Sequence, residues 1–277
     1  MRERAARETV ILPPREARSG MISELRGYHE LLFFLTLRSV KVRYAQSALG
    51  IGWAVIQPLA QMLVFTIVFG ELVGVETDGP PYAIFAFVAL VPWTYFSDAL
   101  SQGTKSLSTN SGLIGKVWFP RVILPLSEIG ARTVDFAIAF VLLIILVLGY
   151  GIIPNASVVV LPLLFLIAVM SAAGISLFLS ALSIQYRDVN YATDFGVRLL
   201  MYAAPVVYPY SAIPESWRLF YALNPMVGVI EGFRAALLSS RAMPWPEIGL
   251  GFAVAAALLV GGAAFFQRRQ HLFADVV

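Results

Sequence analysis

Long apolar runs closed by short polar intervals recur along most of this chain. The first strong run, LGIGWAVIQPLAQMLVFTIVFG (49–70), is long enough, at ~1.5 Å per helical residue, to cross a ~30 Å hydrocarbon layer. Comparable runs cover 82–102, 134–150, 158–183 and 248–266. A less regular one, 197–213, is interrupted by Pro205 and Pro209. The pattern predicts an all-α membrane protein with six transmembrane helices in a single transmembrane domain, 28–277, preceded by a cytosolic arm, 1–27.

Two segments between the runs carry elements of their own. YHELLFFLTLRSVKVRY (28–44) is apolar in its first half and basic in its second. It reads as an interfacial helix with its rings in the acyl boundary and its cations near headgroups, or as a cytosolic helix packed on the bundle. Between the fifth and sixth runs, Pro214 before Glu215 and Asn224 before Pro225 are helix starts: Asn caps free amides, and Pro loses nothing at the first position. Two short helices follow, near 214–222 and 225–238, too short to span and too apolar for open water. They form either a re-entrant pair in the outer leaflet, its broken ends facing protein or a wet cavity, or an external cap. On the second, Glu231 and Arg234 are spaced to pair on one face, with Ile230, Phe233 and Leu237 on another.

Composition agrees with this reading. At 58% hydrophobic and a mean hydropathy of +0.77 over 277 residues, the chain is richer in apolar groups than a soluble domain of this length. It has no cysteine, which excludes disulfides and thiolate chemistry. His29 and His271 sit at opposite ends without a ligand set around them, so no metal role is assigned. The arm holds no apolar run followed by a small-residue cleavage site, so the first span is expected to direct insertion itself.

Charge sets the orientation. The first 48 residues hold nine Lys/Arg, the 103–133 segment carries Lys105, Lys116, Arg121 and Arg132, and the tail opens with Arg268 and Arg269. The turn at 71–81 has Glu71, Glu76 and Asp78 and no basic residue. Both termini are therefore expected in the cytoplasm. The 209–247 region pulls the other way with Arg218, Arg234 and Arg241, blunted by Glu215, Glu231 and Glu247.

Candidate chemistry is sparse. NSGLIGKVWFPRVILP (110–125) contains Gly112, Gly115 and Lys116, but a P-loop needs four residues between its first glycine and the Gly-Lys pair, then Ser or Thr, where Val117 stands. Motifs of metalloproteases and serine hydrolases are also missing. Asp98 and Asp135 fall near the inner ends of their spans, where charge is cheap, whereas a proton-driven carrier would be expected to keep a carboxylate nearer the midplane. The segment 105–120 instead offers Leu113, Ile114, Val117, Trp118 and Phe119, flanked by Lys116 and Arg121. Apolar surface rimmed by charge is a docking signature; the alternative is an interfacial anchor through Trp118 and Phe119.

The strings VRYAQSALGIGWAVIQP (42–58), PYAIFAFVALVPWTYF (81–96), KVWFPRVILP (116–125), YRDV (186–189) and ALNPMVGVIEGFR (222–234) together resemble the transmembrane permease subunit of bacterial polysaccharide ABC exporters, which serve lipopolysaccharide O-antigen, capsule and teichoic acid. The likeness runs from about residue 25 to the sixth span. It implies a homodimer in the bacterial inner membrane, with two copies of a separate cytosolic ATPase binding ATP and Mg, and no catalytic site, cofactor or nucleic-acid partner for this chain. It also implies that Asn110–Pro120 is the coupling helix, with Lys116, Phe119 and Arg121 as matching positions. The 184–194 link, with Arg187 and Asp188, is expected to share the coupling motion.

The implied cargo is a polysaccharide on undecaprenyl pyrophosphate. Aromatic rings that stack on sugars are available in Tyr95, Tyr202, Tyr208, Tyr210, Trp217 and Tyr221, although Tyr and Trp also belong at any membrane interface. Arg38, Lys41, Arg43 or Arg198 could meet the pyrophosphate, or serve only to fix topology. The rival readings are an ATP-independent lipid-linked sugar flippase or secondary carrier, and a scaffold for a membrane-bound biosynthetic complex.

Overall fold

A computed structural model describes residues 21–45, 47, 49–77 and 79–270, and of 22–24 the backbone. Arm residues 1–20, Asp78 and the tail with His271 lie outside the described residues. Among the described residues the elements are helices joined by turns and irregular stretches, with no strand.

The described residues open with α1 (Met21–Gly27) and α2 (His29–Tyr44), the second matching the segment expected at the interface. Helix α2 lies along α6 (Ile123–Gly149). Leu31, Leu32 and Leu35 face the bundle, while Phe33, Phe34 and Val42 are exposed. A 3-10 turn at Gly50–Gly52 leads into α3 (Trp53–Phe65), which continues as a π-helical stretch, Thr66–Leu72. This rod is long and apolar enough to cross a membrane, yet only 6% of its most apolar window is buried.

The centre of the fold is α4 (Tyr82–Thr109), where 78% of the corresponding window is buried. It packs against α6, α7 (Leu161–Ser183) and α10 (Pro225–Leu238). Its last turns look like a polar loop in the sequence but stay helical. The hydroxyls of Thr104, Ser106 and Ser108 donate to the carbonyls of Leu100, Gly103 and Lys105 at 2.8, 2.7 and 2.9 Å, so polarity is satisfied inside the helix. Helix α6 likewise begins at Ile123, before the expected 134, because its charged first turns are paired with one another and with α2.

The segment expected to be a fifth span is not one helix. Instead α8 (Asp188–Tyr202) takes up most of the 184–196 link and ends where 203–214 becomes irregular, apart from a turn at Tyr210–Ala212. Pro205 has no N–H to give a helix and disfavours helical backbone at Ala204. Among the described residues, five helical stretches are long and apolar enough to span: Gly50–Leu72, Tyr82–Thr109, Ile123–Gly149, Ala156–Ser183 and Trp245–Arg269.

Both short helices start where the sequence places them, α9 (Glu215–Ala222) after Pro214 and α10 after Asn224. They differ sharply in surroundings. On α9, Trp217, Leu219 and Phe220 are exposed, whereas every residue of α10 is buried. The Asn224 side chain accepts from Met226 N at 3.1 Å, and its Nδ2 donates to the Ala203 carbonyl at 3.1 Å, tying the irregular stretch to the helix start. Replacing Asn224 by Ala is expected to cost about 1–2 kcal/mol. Asn224→Asp, which keeps the cap acceptor and loses the tie, should fall between the two in thermal midpoint in detergent. Helix α11 (Trp245–Arg269) closes the fold against α7 and α10.

Candidate functional site

One end of the bundle collects the residues expected to couple. Helix α4 ends at Asn110, whose Nδ2 donates to the Ser106 carbonyl at 2.8 Å, and α5 (Ser111–Ile114) follows at once. Leu113 is half-buried, and Ile114 and Phe119 are buried in a cluster with Leu107, Val122, Ile123, Leu177 and Phe266. The expected docking stripe therefore divides. Ile114 and Phe119 form the base that fixes the turn, while Lys116, Val117 and Trp118 stand outside, with Val117 57% and Trp118 69% exposed. This corrects the reading of Phe119 as presented surface: a turn this short needs an apolar foot, and Phe119 supplies it. Arg121 donates to the Gln270 carbonyl, so it braces the turn against the end of α11. A cleft of about 230 Å³ lies between the exposed residues and this base.

The start of α8 joins the same end. Ser183 Oγ donates to the Thr104 carbonyl at 3.0 Å, Asn190 Nδ2 to Ser108 Oγ at 3.4 Å, and Lys105 pairs with Asp194 at 2.6 Å. Arg187 and Asp188 are exposed between the Ser183 tie and those of Asn190 and Asp194. The two links expected to move together are thus both fastened to the last turns of α4. Because the Lys105–Asp194 pair is partly exposed, Asp194→Asn should lower stability by no more than about 1 kcal/mol, read as the thermal midpoint at low and high salt.

Behind this end lies an ionic cluster. Asp135 accepts from Arg43 and Tyr44, and pairs with Arg132 at 3.5 Å; Glu128 accepts from Ser39 at 2.8 Å and meets Arg132 at 3.9 Å. Burial lowers the Arg43 pKa, against the raising pull of Asp98, Tyr44 and Glu128. Burial also raises that of Tyr44, which Arg43 draws down and Asp98 raises further. Of the cations considered for a pyrophosphate, Arg43 is thus already committed to a carboxylate. Arg38, Lys41 and Arg198 are exposed and take part in no ion pair among the described residues.

The aromatic candidates separate into three settings. Tyr95 is buried among Phe136 and Phe165, with ring centroids 5.5 and 4.8 Å away. At the opposite end from the coupling turn, Tyr208 and Tyr221 share a hydroxyl contact, and both donate to the Tyr202 carbonyl, at 2.7 and 3.1 Å. Tyr210 is buried, while Tyr202 and Trp217 are exposed.

The sequence reading foresaw the Glu231–Arg234 pair but not its depth. The two meet at 2.7 Å with both side chains 2% exposed. Arg241 also donates to Glu231, so this one carboxylate serves two arginines. Arg234 Nη2 donates to the Val206 carbonyl at 2.9 Å and lies 3.5 Å over the Phe85 ring. This network holds the irregular stretch after α8 against α4 and α10, and the proximity of Glu231 and Arg234 was its only sign in the sequence.

Comparison with known proteins bears on all of this. A family model described as ABC-2 type transporter matches residues 30–238. The O-antigen export system permease protein RfbA of Myxococcus xanthus is 32% identical over 259 residues, covering 93% of this chain and 99% of that protein. RfbA of Klebsiella pneumoniae is 27% identical over 253 residues, with 91% and 96% covered. The polysialic acid transport protein KpsM of Escherichia coli is 22% identical over 209 residues, with 74% and 80% covered.

Proposed function

The chain belongs to the ABC-2 type transporter family, and from that premise we propose that it is the membrane permease of an ATP-driven exporter that moves a lipid-linked cell-surface polysaccharide across the bacterial inner membrane. The observation that carries the cargo class is the alignment with O-antigen export permeases along 99% and 96% of their lengths. On this reading two copies of the chain pair with two copies of a cytosolic ATPase, which binds ATP and Mg, and both termini face the cytoplasm.

The topology has six crossings. Helix α8 and the irregular stretch to about 213 together make the fifth, in two pieces rather than one helix. Helices α9 and α10 dip back from the outer surface, α10 inside protein, where broken helix ends can be satisfied. The exposed ledge Lys116–Trp118 on its buried base supports docking to the ATPase. Nucleotide-dependent closure of that partner would move α5 and the start of α8 together, since both are tied to the end of α4. Tyr202, Tyr208 and Tyr221 give the path an aromatic mouth on the outer side.

The test is purification of the chain from native membranes in mild detergent, with assays for a stoichiometric ATPase and for surface polysaccharide after the gene is removed. Co-elution of an ATPase and loss of lipid-linked polymer at the surface are expected. Export that persists without an ATPase and follows the proton gradient would replace this reading with a self-powered flippase.

A further inference from the structure

Arg234 has a task that pairing with Glu231 does not account for. From Ala203 to Tyr208 the chain runs without a helix after α8, so its carbonyls lack helical donors, and inside a membrane each must be met from elsewhere. Side chains from other elements meet them. Asn224 Nδ2 donates to the Ala203 carbonyl, and the Tyr82 hydroxyl donates to the Val207 carbonyl at 2.8 Å. Arg234 reaches two carbonyls, that of Val206 through Nη2 at 2.9 Å and that of Tyr208 through Nη1 at 3.5 Å. Just before the stretch, the hydroxyls of Tyr208 and Tyr221 both donate to the Tyr202 carbonyl.

The guanidinium is itself held before it reaches the stretch. Glu231 accepts from it at 2.7 Å, the Phe85 carbonyl accepts from its Nε–H at 3.4 Å, and its central carbon lies 3.5 Å from the centre of the Phe85 ring. The helix that carries it is fastened at both ends. Asn224 caps the start of α10, and at the other end the Ala236 and Ala235 carbonyls accept from the Asn155 backbone and side chain at 3.3 and 3.0 Å. All of these contacts lie within one copy of the chain, and every residue of α10 is buried there, so pairing with a second copy does not alter them. A planar fork can hold two carbonyls two residues apart, whereas a lysine ammonium is a point charge on a flexible stem.

We propose that Arg234 is a positioning residue for export: by holding the Val206 and Tyr208 carbonyls it sets the backbone from which Tyr208 reaches Tyr202 and Tyr221, and with it the shape of the outer mouth through which the polymer leaves. Tyr82, at the start of α4, holds the carbonyl between them and shares the task. Arg234 acts through Tyr208 and does not touch the polymer. This role rests on the exporter reading and adds a residue to it. A mouth that is not held in shape leaves the ATPase free to turn over at the other end of the bundle while less polymer passes for each ATP. Loss of folded protein cannot produce that separation, because it removes hydrolysis and movement together.

Inverted membrane vesicles carrying the full chain and its ATPase are supplied with ATP and with lipid-linked polymer extracted from the native host, and polymer moved into the lumen is counted against phosphate released. Arg234→Lys should lower polymer moved per ATP at least about tenfold, the scale of hydrogen bonds from a charged donor, and Tyr82→Phe, which loses one hydroxyl and keeps its ring, about threefold. Arg241→Gln, which removes the second partner of Glu231 and no donor to the stretch, should lower the thermal midpoint and leave the ratio unchanged. An unchanged ratio in Tyr82→Phe and Arg234→Lys would overturn the proposal, and so would an equal fall in Arg241→Gln. Tyr82→Phe alone decides the matter if the lysine variant does not fold. Movement by the unaltered chain that needs no ATP would remove the exporter reading and this role with it.

Discussion

Gly262→Leu should abolish recovery of monodisperse protein, and even Gly262→Ala should cost on the order of 3 kcal/mol, the upper part of the range for overpacking, while Gly261→Ala, one position earlier, should leave stability unchanged or slightly improved. The contrast follows from where α7 and α11 cross. A Cβ on Gly262 would lie 2.9 Å from the Gly174 carbonyl carbon and closer still to its oxygen. Seen from the other helix, a Cβ on Gly174 would lie 2.5 Å from the Leu259 amide nitrogen. Backbone cannot rotate aside as a side chain can, so the helices would have to part along an interface that holds much of the fold together. Gly261 faces out, with nothing within 4 Å of an added Cβ, and there alanine only improves helix propensity. Close approach of helices through small residues is what packing in lipid depends on, because apolar side chains gain nothing there by leaving lipid for protein. Thermal midpoints and size-exclusion profiles of the three variants in one detergent decide the matter; equal behaviour at 261 and 262 would exclude backbone contact at this crossing.

That crossing also shows where sequence reading stops. Long apolar runs locate α3, α7 and α11 to within a few residues, since length against membrane thickness is a one-dimensional property. Two adjacent glycines in α11 look alike in such a reading, and only the partner helix distinguishes them. The same limit hid the end of α4 and the beginning of α6. Glu128 and Arg132 look like loop residues until Ser39, Arg43 and Asp135 are brought beside them, and the serines and threonines at the end of α4 look like loop residues until their hydroxyls are seen to bond within the helix. Pro205 and Pro209 did announce an irregular fifth segment, but not that α8 would begin as early as Asp188. The starts of α9 and α10 were fully legible, because a cap is a local event. At the coupling turn, the residue types were legible and their division into foot and ledge was not: Val117, Trp118 and Phe119 are adjacent and apolar, and which of them faces inward depends on Leu177 and Phe266 from distant helices.

The division at that turn gives the second large effect. Val117→Asp combined with Trp118→Asp should reduce export at least about tenfold, the loss of a central apolar anchor in an interface being worth 2 kcal/mol or more, with the thermal midpoint of the permease unchanged. Phe119→Ala should act in the opposite order, costing about 3–5 kcal/mol of stability through a cavity in the core, so that any export defect follows loss of folded protein. The pair of measurements separates docking from anchoring. Trp118 touches only the edge of Tyr28 among aromatic neighbours, with ring centroids 6.2 Å apart, so its removal leaves little unfilled inside the permease. If Trp118 serves as an interfacial anchor, the double variant should still co-purify with its ATPase in detergent, where no bilayer interface exists, and the fault would appear only in membranes. If the ledge is a docking surface, the ATPase should be lost in detergent as well, and nucleotide hydrolysis should no longer respond to the permease. An unaltered complex and undiminished export in the double variant would sink the coupling role for this turn and move attention to Arg187 and Asp188, exposed where α8 begins, the helix whose Asn190 is tied to the same end of α4.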